Sequence, residues 1–185
     1  MKLHTFLFVA VACLGACSTP AKLYPVTAPT AGDKIRTTLR SVEVREVSLP
    51  SYAAAEEIHI QGLDGALSSS ADVLWADIPV RAISLELSRN LAELTGARIA
   101  AEPWPFDQSA QARLEVRIEE LLASADGTFR ASGQYFVTSY EGQRDKSGFF
   151  RLSEPFDPEA GPAAIAAARG RIIMQLARIV AKDGL

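Results

Sequence analysis

Two cysteines, Cys13 and Cys17, stand four residues apart in the stretch CLGACSTP, and the chain has no others. Their CxxxC spacing, with no βαβ pattern around it, suits a redox pair poorly, since that chemistry wants CxxC. The residues before them say more. Met1-Lys2-Leu3-His4 makes a basic start, and TFLFVAVACLGA follows as an apolar run that ends in small residues. This is the layout of a secretory signal peptide. The run falls short of the ~20 apolar residues that a transmembrane helix needs. Its end, Leu14-Gly15-Ala16-Cys17, resembles the bacterial lipoprotein box, in which small residues fit the signal peptidase and the cysteine thiol accepts diacylglycerol. Before Cys13, Ala10 lies where that box wants leucine. Cys17 is therefore the expected lipidation site, with cleavage after Ala16. An ordinary cleaved signal with two incidental cysteines is the plainer alternative.

A lipidated Cys17 leaves the mature chain without a free thiol or a disulfide. Core packing alone must then hold the fold. Each buried acyl methylene is worth about 0.8 kcal/mol, and stable anchoring takes more than one chain. The two or three chains of a lipoprotein cysteine, palmitate among them, would meet that need. Ser18 follows the cysteine. Asp there usually keeps a lipoprotein in the inner membrane, so Ser18 favours the periplasmic face of the outer membrane.

The remaining candidates for chemistry are sparse. His59 is the one histidine after the signal, and it sits between Ile58 and Ile60 on the polar phase of an alternating stretch. A metal site needs several ligands, and a serine triad needs a nucleophile turn. Neither surrounds His59, and Ser68, Ser69 and Ser70 read as a turn. Glu56-Glu57 and Glu119-Glu120 are adjacent in strand-like stretches, so the members of each pair face opposite ways and cannot share a proton. No Walker loop and no GxGxxG occurs. The expectation is a protein with no catalytic residues, no metal and no cofactor, and not an enzyme. The 19 basic and 22 acidic residues give a net charge of −3 without a basic block, which disfavours nucleic acid.

The elements that carry these residues follow from pattern. Residues 18–33 hold several prolines and small polar residues and read as an extended tether. At ~3.1 Å per residue it reaches up to roughly 50 Å from a bilayer. Residues 37–50 read as a strand with a slip of phase after Val44. Residues 56–63 read as a second strand, turned by Gly62, Asp64 and Gly65 into a short third over ALSSS. Residues 76–96 predict a helix in which Asp77 caps the first turn, Pro79 is tolerated and Gly96 closes the end. Val80, Ile83, Leu87, Leu91 and Leu94 form its apolar stripe, with Arg81, Glu86, Arg89 and Glu93 opposite. A short edge strand broken by Pro103 and Pro105 follows.

Residues 112–121 alternate as a strand with one wet face. Asp126-Gly127 is a hairpin signal, and residues 128–140 return. Glu141-Gly142 turns the chain into 144–152. Phe129, Tyr135, Phe136, Tyr140, Phe149 and Phe150 put apolar groups on both faces of this meander, so both faces are expected to be covered. The C-terminal segment predicts a second helix with Ile165, Ile172, Leu176 and Ile179 inward and Arg169, Arg171 and Arg178 largely to the side. Gly170 within it costs about 1 kcal/mol against alanine, which implies close packing, most simply against the sheet. The expected fold is α+β: one mainly antiparallel sheet of five to six strands with two amphipathic helices on one face. The expected layout is a signal peptide over 1–16, a lipidated N-terminus and flexible tether over 17–33, and a single periplasmic domain over 34–185.

The lipobox, the tether, LPSY and above all LSSSADVLWADIPVRAISLELSRNLAELTGARIAAEPWPF at 67–106 resemble the ABC-type transport auxiliary lipoproteins, the PqiC/YmbA-like family. The likeness covers most of the mature chain. Where the family follows LP-x-Y with a leucine and a basic-proline pair, Tyr52 here precedes AAAEEIHI. The resemblance implies an outer-membrane lipoprotein that works with an MCE-type system, moving lipids or other hydrophobic molecules between the two membranes. Its implied partners are the MCE-domain tunnel protein, which it would dock or receive, and the inner-membrane transporter subunits. The membrane would be engaged through the lipid alone, and self-assembly into a homo-oligomer is left open. A self-standing lipid carrier or an outer-membrane stability lipoprotein is the alternative. No catalytic residue comes with the family.

The candidate contacts are two. Leu85 falls off the apolar stripe, with Arg81 and Arg89 one turn to either side, so these three predict a strip for a partner. Trp75, Trp104 and Phe106 flank the same helix. They either cap the core or present aromatic surface to a neighbour.

Overall fold

The computed structural model describes residues 20–140 and 144–185, so Cys13, Cys17 and the expected turn at Glu141-Gly142 lie outside the described residues. The chain runs β1 (Lys22–Tyr24), β2 (Ser41–Val44), α1 (Ser51–Ala54), β3 (Ile60–Gln61), β4 (Leu67–Ser68), β5 (Val73–Trp75) and α2 (Pro79–Thr95). It continues through β6 (Arg98–Ala101), β7 (Ala112–Ser124), β8 (Thr128–Ser139), β9 (Lys146–Pro155) and α3 (Pro162–Ile179), and it ends in a wide π turn over Val180–Gly184.

Strand β7 is the spine. Along one edge it pairs antiparallel with β8, from Ala112 opposite Ser139 to Ala123 opposite Phe129, and β9 extends that meander. Its other edge takes β2 in parallel, with Val42 opposite Ala112, and further along takes β3 in parallel, with Ile60 opposite Ala123. Outside β2 lies β6, again parallel. Outside β3 lies β4, antiparallel, as the turn at Gly65 predicts. The sheet is therefore mixed, and the expectation of a mainly antiparallel one is corrected. The reason is α2. A helix between two strands carries the chain back along its length, so β2 and β6 enter the sheet in the same direction.

Both long helices lie on one face, α2 against β2 and β6, α3 against β8 and β9, and they touch each other. Ile83, Leu87, Leu91 and Leu94 are buried, as the stripe predicts, and Val80 is half-buried. On α3, Ile165, Ile172 and Leu176 are buried and Ile179 is half-buried. Gly96 closes α2 at φ +73°, its N–H donating to the Ala92 carbonyl at 2.8 Å. The N-terminal cap differs from expectation. Asp77 makes no capping bond into the first turn; it accepts from the Ile78 N–H at 2.9 Å and pairs with Arg81. Pro79 begins the helix and carries no N–H to satisfy.

The segment expected as a flexible tether is extended but docked. Lys22–Tyr24 pairs in parallel with β5, and the Ala31 carbonyl accepts from Arg178 on α3. Gly170 of α3 is packed against this segment, not against the sheet: a Cβ there would lie 2.8 Å from the Thr27 carbonyl oxygen. Among the described residues no further element covers the other sheet face. It carries Arg113 bonded to Glu43 at 3.1 Å and Arg130 bonded to Glu120 at 3.0 Å, and Arg117 lies over the Phe136 ring. Phe149, on β9, is 81% exposed.

Candidate functional site

Helix α2 puts Arg81, Leu85 and Arg89 on one exposed line because each follows the last by four residues. Leu85 is 43% exposed, so the helix phase inferred from the stripe holds. Leu85 stands on a ridge between two hollows. On one side is a pocket of about 530 Å³ lined by Ile78, Val80, Arg81, Ser84, Ala101 and Glu102. On the other is a pocket of about 330 Å³ whose walls include Tyr24, Val26, Trp75, Glu86, Arg89 and Arg169. Leu85 borders both.

The aromatic candidates separate. Trp75 is half-buried and belongs to the second pocket, where the Arg169 guanidinium lies 4.3 Å from its ring centre. Trp104 and Phe106 pair edge-to-face at 4.9 Å on the loop after β6. Trp104 donates to the Gln108 carbonyl at 2.7 Å, and Arg98 lies over Phe106, which is 42% exposed. Trp75 is thus part of a charged pocket, while Trp104 and Phe106 form a loop cluster.

Arg169 was expected at the side of α3 and is instead 3% exposed. Its Nη2 donates to Glu86 Oε1 at 2.8 Å, while its Nε and Nη1 and Glu86 Oε2 are buried without hydrogen-bond partners. Burial pushes the Glu86 carboxyl above 4.5 although Arg169 pulls it down, and burial lowers the Arg169 guanidinium although Glu86 raises it. Desolvation dominates both partners, as it does when two charges leave water. The position of Arg169 had a signal. It lies four residues after Ile165 and three before Ile172, inside the apolar stripe. Residue type argued for the surface, and spacing argued for the interior.

His59 is half-buried, donates from Nδ1–H to the Glu57 carbonyl at 3.1 Å, and packs edge-on against Tyr52. It lines a void of about 20 Å³ together with Trp75 and Arg169. Glu119 accepts from Gln134 and Glu120 from Arg130, so that acidic pair serves two different partners. Among the described residues no group of His, Cys, Asp and Glu is arranged to hold a metal, and no helix is long and apolar enough to cross a membrane.

A ridge, two hollows and a buried ion pair stand together on an α+β scaffold. The chain belongs to the ABC-type transport auxiliary lipoprotein component family, whose model matches residues 23–181. That is a family of transport auxiliary components and not of enzymes. The fold is shared with two crystal structures. An uncharacterized protein has a TM-score of 0.68 at 21% identity, over 80% of this chain and 97% of its own. A DUF330 protein of Xanthomonas campestris has a TM-score of 0.65 at 15% identity, over 84% of this chain and 90% of its own. No curated protein matches this chain in sequence.

Proposed function

We propose that the protein is an outer-membrane-anchored periplasmic lipoprotein subunit of an MCE/ABC-type trans-envelope transport system for lipids or other hydrophobic compounds. It acts there as a docking component for the tunnel protein, with lipidated Cys17 as its anchor. The observation that carries this reading is the exposed strip Arg81, Leu85 and Arg89, set between two hollows on the helix where the family resemblance is sharpest. A leucine flanked by arginines offers an apolar anchor with charged sides, the composition favoured at protein interfaces. Family membership supports a transporter as the partner. The alternative, a self-standing carrier, needs an apolar cavity that encloses most of its ligand. Both hollows beside Leu85 are lined in part by charged side chains, which favours docking.

The test is a pull-down of the native lipoprotein from detergent-solubilised envelope, beside Leu85→Asp. Wild type should bring down an MCE-domain protein and transporter subunits. The variant should unfold at the wild-type temperature and lose about 2 kcal/mol of binding, near 30-fold. Recovery of the same partners at equal yield by both proteins would rule out the strip. Recovery of lipid without any transporter subunit would favour the carrier.

A further inference from the structure

Leu63 stands in the turn between β3 and β4 and is 86% exposed, more than any other large apolar side chain among the described residues. Turn positions usually go to Gly, Pro, Asn, Asp or Ser, and leucine brings none of their conformational advantages. The turn itself is closed. The Gly62 N–H donates to the Ala66 carbonyl at 2.8 Å, the Gly65 N–H to the Gly62 carbonyl at 2.9 Å, and the Ala66 N–H to the Asp64 carboxylate at 3.0 Å. These three amides are satisfied within the turn, so an apolar surface can approach them without stripping water from free donors. Leu67, just behind on β4, and Leu23 on β1 are exposed as well.

We infer that this turn, with Leu63 at its tip and Leu67 and Leu23 behind it, seats on the surface of the bilayer in which Cys17 is anchored. Topology puts the anchor on the same side. The stretch 57–61 pairs antiparallel with β4 and then, at Glu57, with β5, so β5 runs away from the tip. Strand β1 runs parallel to β5, and the N–H of its first residue, Lys22, donates to the Asp72 carbonyl at the tip-side end of β5. The chain therefore enters the fold from the side of the tip. Cys17 stands three residues before Pro20, where the described chain begins, and so within about 10 Å of it. Charge sets the kind of surface. Asp64, Asp72, Asp126 and Glu120 lie around this hairpin against Lys22 and Arg130, and Arg130 is already paired with Glu120. An anionic surface repels that balance, so the contact is apolar and suits a lipid surface without net charge. The lipid on Cys17 is then not the only hold on the membrane. This deepens the anchoring part of the proposed function and rests on it for the lipidation of Cys17.

The test uses the acylated chain reconstituted in phosphatidylcholine vesicles whose acyl chains carry bromine, a contact quencher of tryptophan. Flotation with the vesicles and intact mass read the anchor, and quenching reads the tip. Leu63→Trp should add emission that is blue-shifted and quenched beyond the wild-type level. Phe149→Trp, at an exposed apolar site on β9, should add emission that is neither. Leu67→Asp combined with Leu63→Trp should move the tip about tenfold toward its unbound state, at an unchanged unfolding temperature. Brominated phosphatidylglycerol vesicles should quench Leu63→Trp less, and added salt should narrow the gap. Three outcomes overturn the inference: a floating chain with no added quenching at Leu63→Trp, equal quenching of Phe149→Trp, or a blue shift without quenching that grows with protein concentration, which would give the tip to a second copy. Equal quenching by phosphatidylglycerol overturns the preference for a neutral surface. A chain that does not float removes the anchor and this inference with it. A chain that floats without tip quenching removes the inference alone. Transporter capture in the pull-down is read separately from both.

Discussion

Arg169 and Glu86 show how burial can set the behaviour of an ion pair. The Glu86 carboxyl is held above the usual 4.5 because desolvation outweighs the pull of Arg169. The folded state therefore holds this proton more tightly than the unfolded chain does. Glu86 contributes stability that is present below 4.5 and is lost as pH rises through the raised value. Glu86→Gln has no such titration. Denaturant unfolding between about pH 4 and about pH 8 should show wild type losing stability relative to Glu86→Gln as pH rises. A constant difference across that range would mean that Glu86 is not titrating from a buried site. The sequence made this pair hard to find, because arginine and glutamate are assigned to the surface by type. Leu85 was the easier case: its angle around the helix placed it outside the apolar stripe without any knowledge of neighbours.

Among the elements, α3 and the docked N-terminal segment depend on each other through Gly170. Alanine there gains about 1 kcal/mol in helix propensity. Its Cβ, however, would meet the Thr27 carbonyl oxygen at 2.8 Å and Val26 Cγ1 at 3.0 Å, and a backbone oxygen cannot rotate away. Gly170→Ala should keep α3 folded while it lifts the segment. Amide exchange would report this at Lys22, which donates to Asp72, and at Ala76, which donates to Tyr24. Faster exchange at both, with global unfolding changed by less than about 1 kcal/mol, is the expected result. Unchanged exchange at those amides would show that the segment absorbs the methyl group. The existence of close packing at Gly170 was legible from the cost of glycine in a helix, but its partner was not. A proline-rich stretch with one exposed leucine gives no period to read. Helix α2 and the hairpin at Asp126-Gly127 were legible because each is coded within about twenty residues. The parallel pairing of β2 with β7 joins residues seventy apart in sequence, Val42 with Ala112, and local alternation does not choose between neighbours at that distance.

For the whole molecule, attachment is the property on which the proposed role turns. Intact mass of membrane-extracted protein should give a chain that begins at Cys17 and carries acyl groups. A mature chain that begins elsewhere, or one that stays in solution without detergent, would remove the anchor from the proposal. Cys17→Ala should fold normally, since the buried core is built from residues Leu39 to Leu185, and should leave the membrane fraction. The docking of β1 on β5 has one more effect on an anchored chain. A body on a loose strand tumbles, so its binding face points the wrong way most of the time and each encounter must wait for rotation. A body strapped along its own leash keeps only the few residues before Lys22 as free line, and fewer orientations toward a bilayer are open to it. Part of the orientation would then be settled at folding and need not be settled again at every meeting. What would remain for a partner is closer to a search in two dimensions for a target partly turned toward it.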